Sequence, residues 1–190
     1  AGADVPKSKR FERSGLSEAS AYVGFPCVLK AEGLAHKTEA GGVALNIKND
    51  VELSDIAETM PGDAFLLEEM ISGAVAELLL GITRDEAHGY VLTLGAGGTM
   101  TELMADTVSL LLPASAEDVD TALRSLKIAP LLNGYRGAPA AHMPSVLTAI
   151  QRIAGFVAAH HGRIEELEVN PLIVTPSRAV VADVLIRGER

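Results

Sequence analysis

Tryptophan is absent, cysteine occurs once, and the remaining aromatic residues are four Phe and three Tyr. Such a shortage of flat rings excludes a stacking platform for single-stranded nucleic acid. Cations are also few: 16 Lys and Arg stand against 25 Asp and Glu, giving a net charge of −9. A surface built to follow a polyphosphate backbone would be basic, so nucleic acid is not expected as a partner. The lone Cys27, in the apolar run FPCVLK, has no internal disulfide partner and reads as a small buried hydrophobe. No apolar stretch approaches the ~20 residues of a membrane-spanning helix, and no secretory signal opens the chain. These absences lead to the expectation of a cytoplasmic protein with no membrane partner. The chain begins AGADVP, without Met, which suggests a domain excised from a longer protein or a processed one.

What is present is apolar residue in quantity, 48 % of 190 residues, mostly Ala, Leu and Val. That is enough to bury a sizeable core in one large domain or in two small lobes. Patterning predicts a short helix over 17–22, strands over 25–31 and 43–47, a helix over about 50–60 and a strand over 64–71. Ser72-Gly73 reads as a hinge between lobes. The runs AVAELLLGI and YVLTLGA, separated by TRDEAHG, predict an antiparallel hairpin. Ser115, followed by Glu117 and Asp118, starts a helix running to about 126. Pro144 suits the first turn of a helix reaching His160. ELEVNPLIV and AVVADVLI close the chain as strands. There is no clean βαβ rhythm, so a doubly wound sheet is disfavoured. An α+β pair of lobes facing a cleft is expected, with boundaries at about 1–71 and 72–190.

Four groups of residues carry chemistry. In the closing hairpin, Thr175-Pro176-Ser177-Arg178 forms a four-residue connection between Val174 and Ala179, with Pro placed as a type I turn prefers. That register sets Asn170 directly opposite Asp183 and puts Glu168 on the same face. Three oxygen donors on one patch suit a hard cation such as magnesium, held by few protein groups and completed by phosphate oxygens. Asp183 also sits in an apolar strand, where an unpaired carboxylate is costly to bury. Second, Lys30 ends a strand ahead of the loop LAHKTEAGG. There Gly41-Gly42 allows backbone amides to approach a phosphate, Lys37 adds charge, and His36 offers a nucleophile or donor. Third, Glu68-Glu69-Met70 ends a strand at the lobe junction, where an adenine edge can pair with backbone groups. Glu77, flanked by Ala and Leu, needs a partner or ligand if buried. Fourth, Arg136 lies between Gly134 and Gly137 and can bring a guanidinium to a phosphate.

In this order, GFPCVLK, LAHKTEAGGVALNI, LLEEM, ELLLGITRD, LGAGGTMTELMAD, LLNGYRGAP and LEVNPLIV resemble the ATP-grasp domain of ADP-forming acetyl-CoA and acyl-CoA synthetases. The same domain type occurs in the succinyl-CoA synthetase β subunit. The resemblance implies an ATP-grasp fold, two α+β lobes holding ATP/ADP with Mg2+ between them. It also implies the reaction acyl-CoA + ADP + phosphate ⇌ acid + CoA + ATP. On that basis His36 maps to a phosphohistidine, Asn170 and Asp183 to magnesium ligands, and Lys30 with Glu68, Glu69 and Met70 to nucleotide contacts. The partners implied are the CoA-binding and ligase domains, ATP, CoA and a carboxylic acid, in an oligomer of the complete protein. One departure stands out: His142 follows GYRG where the family usually carries an acidic residue.

A relay histidine needs mobility more than a strong neighbouring base, because neutral imidazole attacks phosphorus without prior deprotonation. Glu168 and Glu77 are both candidates to orient it. Of the other histidines, His88 falls in a hairpin turn and His160-His161 end a helix, so His142 is the rival. A different class of reading is a nucleotide-sensing regulatory module, such as the synthetase-like part of an acetyltransferase fusion. A sensor has no need of His36, so its presence favours the enzyme. A third is a succinyl-CoA-type β subunit, against which GYRG and HKTEAGG weigh.

Overall fold

A computed structural model describes residues 2–33, 41–98, 101 and 105–188. The chain divides into two compact units at Ile71/Ser72. The smaller comprises Pro6–Ile71. The larger comprises Ser72 onward together with the residues up to Val5, which the sequence reading had assigned to the first lobe.

The smaller unit is a four-stranded antiparallel sheet in the order β1-β4-β2-β3. Its strands are β1 (Ser8–Glu12), β2 (Cys27–Ala31), β3 (Val43–Ile47) and β4 (Ala64–Glu69). Helices α1 (Leu16–Val23) and α2 (Asp50–Thr59) cover one face, where Leu29, Phe65 and Leu67 pack with Ala19, Leu53 and Ala57. The sequence sets the helix limits locally. Gly24, at φ 86°, ends α1, and the Asn49 side chain caps α2 by accepting from Glu52 N at 3.0 Å. Cys27 is fully buried, and burial raises its thiol pKa to about 11.

The larger unit is a six-stranded antiparallel sheet in the order β10-β8-β5-β6-β7, with β9 beside β8. Its strands are β5 (Ala76–Asp85), β6 (Gly89–Ala96), β7 (Thr107–Leu111), β8 (Ile164–Val174), β9 (Ala179–Val181) and β10 (Val184–Gly188). Helices α3 (Ala116–Ser125), α4 (Ala129–Leu132) and α5 (Met143–Ala159) lie on one face. Val119, Leu123, Val146 and Ile150 interlock there with Leu78, Leu80, Leu92 and Leu167. The alternation of β5 is clean: Ala76, Leu78, Leu80 and Ile82 face the helices, so Glu77, Leu79 and Gly81 face outward.

Among the described residues four elements were missed in the sequence: β1, whose Lys9 and Arg10 disguise an edge strand, the 3-10 turn Arg13–Gly15, β7, and the single turn α4. The closing hairpin has the expected register. Val174 pairs with Ala179, and the same offset continues to Val184 opposite Val169 and Arg187 opposite Glu166. Against β5, however, β8 carries an extra residue. Leu78 pairs with Leu172 but Leu80 with Val169, so Asn170 and Pro171 together face Leu79.

Ser115 closes a capping box on α3: its hydroxyl accepts from Asp118 N at 3.1 Å, and Asp118 accepts from Ser115 N at 2.9 Å. The Ser115 hydroxyl, which donates to Asp118 Oδ2 at 2.6 Å, and the Ser115 amide together hold the Asp118 carboxyl below its usual pKa. Ser115→Ala is expected to lower stability by about 1 kcal/mol, measured by urea unfolding, with little change in the slope of the transition.

Candidate functional site

The outer face of the larger sheet, away from the helices, collects the oxygen-bearing side chains. β5 supplies Glu77, and β8 supplies Glu166, Glu168 and Asn170 while Leu167 and Val169 turn into the core. The bulge lets this happen. It keeps Asn170 on the outer face while Leu172 and Val174 return to the core.

The Gly-rich segment after β6 is packed onto this face. Gly97 N donates to Glu77 O at 2.8 Å, and Gly98 N donates to Asn170 Oδ1 at 2.8 Å. Both positions require the absence of a side chain. A Cβ on Gly97 would lie 2.4 Å from the Leu78 carbonyl carbon, and one on Gly98, at φ 63°, would lie 1.8 Å from Glu77 Oε2. Glu77, Gly98 and Asn170 are therefore in contact.

Asp183 stands where the register placed it, with its main-chain oxygen accepting from Asn170 N at 3.2 Å. Its side chain is exposed, and Oδ1 accepts from Val184 N at 3.0 Å. Glu77 is exposed too. Neither carboxylate is buried: the alternation of β5 turns Glu77 outward, and Asp183 lies between β9 and β10. Glu168 lies between Gly81 of β5 and Leu185 of β10. Among the described residues no three His, Cys, Asp or Glu side chains gather to hold a metal ion by themselves. The donor chemistry, one neutral amide oxygen and one exposed carboxylate at facing positions, fits a hard cation that takes its remaining ligands from phosphate and water.

In the smaller unit, Lys30 Nζ pairs with Glu68 Oε2 at 2.6 Å, and the two side chains are only 12 % and 10 % exposed. The pair sits on the sheet face opposite the core, since Leu29, Ala31 and Leu67 point the other way. At the end of β4, Glu69 N donates to Lys7 O at 2.9 Å and Met70 N to Pro26 O at 3.1 Å. An adenine edge docking there would displace one of these bonds or use other groups. Gly41, at φ 70°, and Gly42 precede β3, and Gly42 O accepts from Ala31 N at 2.8 Å. His36 and Lys37 lie outside the described residues.

The sequence matches the ATP-grasp domain family over residues 12–187. The chain belongs to the ATP-grasp family. It is 35 % identical over 187 residues to a trans-feruloyl-CoA synthase of an unknown prokaryotic organism, covering 90 % of this chain and 26 % of that protein. It is 28 % identical over 196 residues to the β subunit of ADP-forming acetate–CoA ligase I from Pyrococcus furiosus, covering 96 % and 84 %. Among solved structures it superposes on the Ca. Korarchaeum cryptofilum dinucleotide-forming acetyl-coenzyme A synthetase 1. That structure is in complex with coenzyme A and Mg-AMPPCP, and its phosphohistidine segment points towards the nucleotide-binding site. The TM-score is 0.82 at 28 % identity, covering 99 % of this chain and 86 % of that one. The domain thus spans about a quarter of the length of the feruloyl-CoA synthase and most of the length of the acetate–CoA ligase subunit.

Among the described histidines of this ATP-grasp domain, three are held locally. His88 Nδ1 lies 2.8 Å from Asp85, His160 Nδ1 lies 2.8 Å from Phe156 O, and His161 packs edge-on to Tyr90. His142 is exposed at the start of α5, with its amide donating to Thr175 O at 3.1 Å. Arg136 is exposed on the loop between α4 and α5, at φ 51°, with its guanidinium 5.2 Å from the Tyr135 ring centre. Sequence reasoning missed the contact of Gly98 with Asn170 and Glu77, although the run GAGG carried the signal. No helix among the described residues is long and apolar enough to cross a membrane.

Proposed function

We propose that this domain binds Mg-ATP or Mg-ADP and performs the phosphoryl step of an ADP-forming acyl-CoA synthetase, acyl-CoA + ADP + phosphate ⇌ acid + CoA + ATP. The observation that carries the reading is the Gly98 amide bonded to the Asn170 side chain, with Asp183 at the facing register position and Glu77 alongside. Likeness to the acetate–CoA ligase β subunit supports it. The CoA-binding and ligase functions belong, in this reading, to a further domain or subunit assembled with this one. Asn170 and Asp183 would hold magnesium, which neutralises charge on the phosphate oxygens when bound. Lys30 and the Gly41-Gly42 backbone are assigned to the phosphates, with Lys37 adding charge, and Glu68, Glu69 and Met70 to the purine end.

His36 carries the phosphoryl group in this scheme. In the direction of ATP synthesis its N–P bond breaks as a P–O bond forms to the terminal phosphate oxygen of ADP; the ring keeps the bonding electron pair and leaves as neutral imidazole with one proton gained from solvent. Glu168 or Glu77 orients the ring. Arg136 is presented from the helical layer, apart from the outer-face group, and takes no part in this step.

Binding is tested by thermal unfolding. Mg-ATP at a hundred times its dissociation constant is expected to add ~2.7 kcal/mol, or roughly 5–10 °C for a chain of this size. An unchanged melting temperature at millimolar nucleotide would sink the proposal. Asn170→Ala and Asp183→Ala are each expected to weaken the magnesium-dependent part of binding about tenfold or more, since each removes one oxygen ligand. If both folded variants bind Mg-ATP like the parent, the metal assignment is wrong.

A further inference from the structure

Between Asp120 and Glu165 the chain has no acidic residue at all, although it carries 25 elsewhere. The same stretch holds Arg124, Lys127, Arg136, Arg152 and Arg163. It forms the second half of α3, all of α4, the Gly134–Gly137 loop and α5, that is, most of the helical layer of the larger unit. An acidic protein has thus concentrated positive charge on the layer that faces away from the Glu77–Asn170 group.

Within that layer a concave site of about 550 Å3 is lined by Arg124, Lys127, Pro130, Asn133, Gly134 and Tyr135. Its volume is that of a small-molecule site. Asp120 occupies Nε of Arg124 at 2.6 Å and leaves the outer guanidinium nitrogens unengaged by it. Lys127 is exposed and has no ion-pair partner among the described residues. Asp106, beneath, is buried and accepts from Ile128 N at 3.3 Å, which fixes the turn that carries Lys127.

Tyr135 is nearly half exposed and offers a flat apolar face with Arg136 beside it. The loop that presents them is tightly built. Gly134, at φ 84°, has no room for a Cβ against Ala138 O at 2.9 Å, and Arg136 itself is held in the left-handed region. A ring with one face under the Arg136 guanidinium, the Lys127 ammonium, the outer nitrogens of Arg124 and an Asn amide are the equipment for a base joined to phosphates.

We infer that this pocket is a second ligand site, for a phosphorylated adenosine, with the ring against Tyr135 and the phosphates on Arg124, Lys127 and Arg136. The site itself stands on this geometry. Only the choice of coenzyme A as a probe rests on the function proposed above, whose reacting coenzyme A is held by a further domain; the site here is additional to that one.

Calorimetric titration of the 190-residue chain at low salt, without magnesium, tests it. The probes are coenzyme A, adenosine 3′,5′-bisphosphate and ADP. Saturable binding is expected, weakened about tenfold or more by Lys127→Glu, kept by Lys127→Arg, and reduced by added salt. Tighter binding of the two 3′-phosphorylated probes identifies coenzyme A as the source, whereas equal binding of ADP identifies a general adenine nucleotide. Heat from none of the probes at millimolar concentration, or equal binding by the parent and Lys127→Glu, overturns the inference. The Mg-ATP melting shift of Lys127→Glu is expected to match the parent. If that shift is missing in both while Lys127-dependent binding persists, the proposed function fails and the second site stands.

Discussion

His36→Gln, assembled with a CoA-binding partner part and supplied with acyl-CoA, ADP and phosphate, is expected to lose turnover by several orders of magnitude and to keep nucleotide binding. A relay that loses its covalent carrier has no partial substitute, because the amide of Gln cannot form the N–P bond. The rival positions are weaker on structural grounds. His88 lies in a hairpin turn beside Asp85, and His160 and His161 follow a helix end beside Phe156 and Tyr90, apart from the Glu77–Asn170 group. His142 is exposed, so phosphopeptide mapping under alkaline conditions should distinguish it from His36. Full turnover in His36→Gln, or the label on His142, would overturn the assignment.

Gly97→Ala is expected to cost about 2–4 kcal/mol, enough to lower the melting temperature by roughly 5–15 °C. A Cβ there would stand 2.4 Å from the carbonyl carbon and 2.6 Å from the oxygen of Leu78, and strand backbone cannot swing aside as a side chain can. Gly98→Ala meets the movable end of Glu77, so its first effect is expected on Glu77 and Asn170. Calorimetry paired with Mg-ATP titration separates the two: Gly97→Ala lowers stability, whereas Gly98→Ala weakens binding out of proportion to stability. A Gly97→Ala protein as stable as the parent would show that the loop can lift off the sheet freely.

Much of this architecture was legible because short-range rules decide it. The connection Thr175–Arg178 fixed the pairing offset, and that offset held for the whole hairpin down to Arg187 opposite Glu166. Ser115 marked the start of α3 by its capping box. The family was legible in motifs that run through the chain, and the match over residues 12–187 agrees. β1 was not legible, because its alternation is hidden by Lys9 and Arg10 at an edge. Nor was the bulge at Asn170–Pro171, which depends on how β8 meets β5 from far along the chain. The outward face of Glu77 was not legible from its apolar neighbours, because Ala76 and Leu78 point to the core and turn it to the other side, whereas Asp183 is exposed together with Val184, Leu185 and Ile186. The contact of Gly98 with Asn170 spans 72 residues, a distance over which no local pattern speaks.

The extra residue in β8 also bears on which length changes the gene can tolerate. Ahead of it, odd-numbered Leu167 and Val169 are interior; beyond it, even-numbered Leu172 and Val174 are. Loss of one codon between Val169 and Leu172 would restore uniform parity and regular pairing with β5, but it would break the single offset that pairs β8 with both β9 and β10. Either β9 or β10 would then slip by one residue, and Asp183 would leave its position opposite Asn170. Single-codon deletions should be purged there, so an indel scan would outline the site without any assay of catalysis.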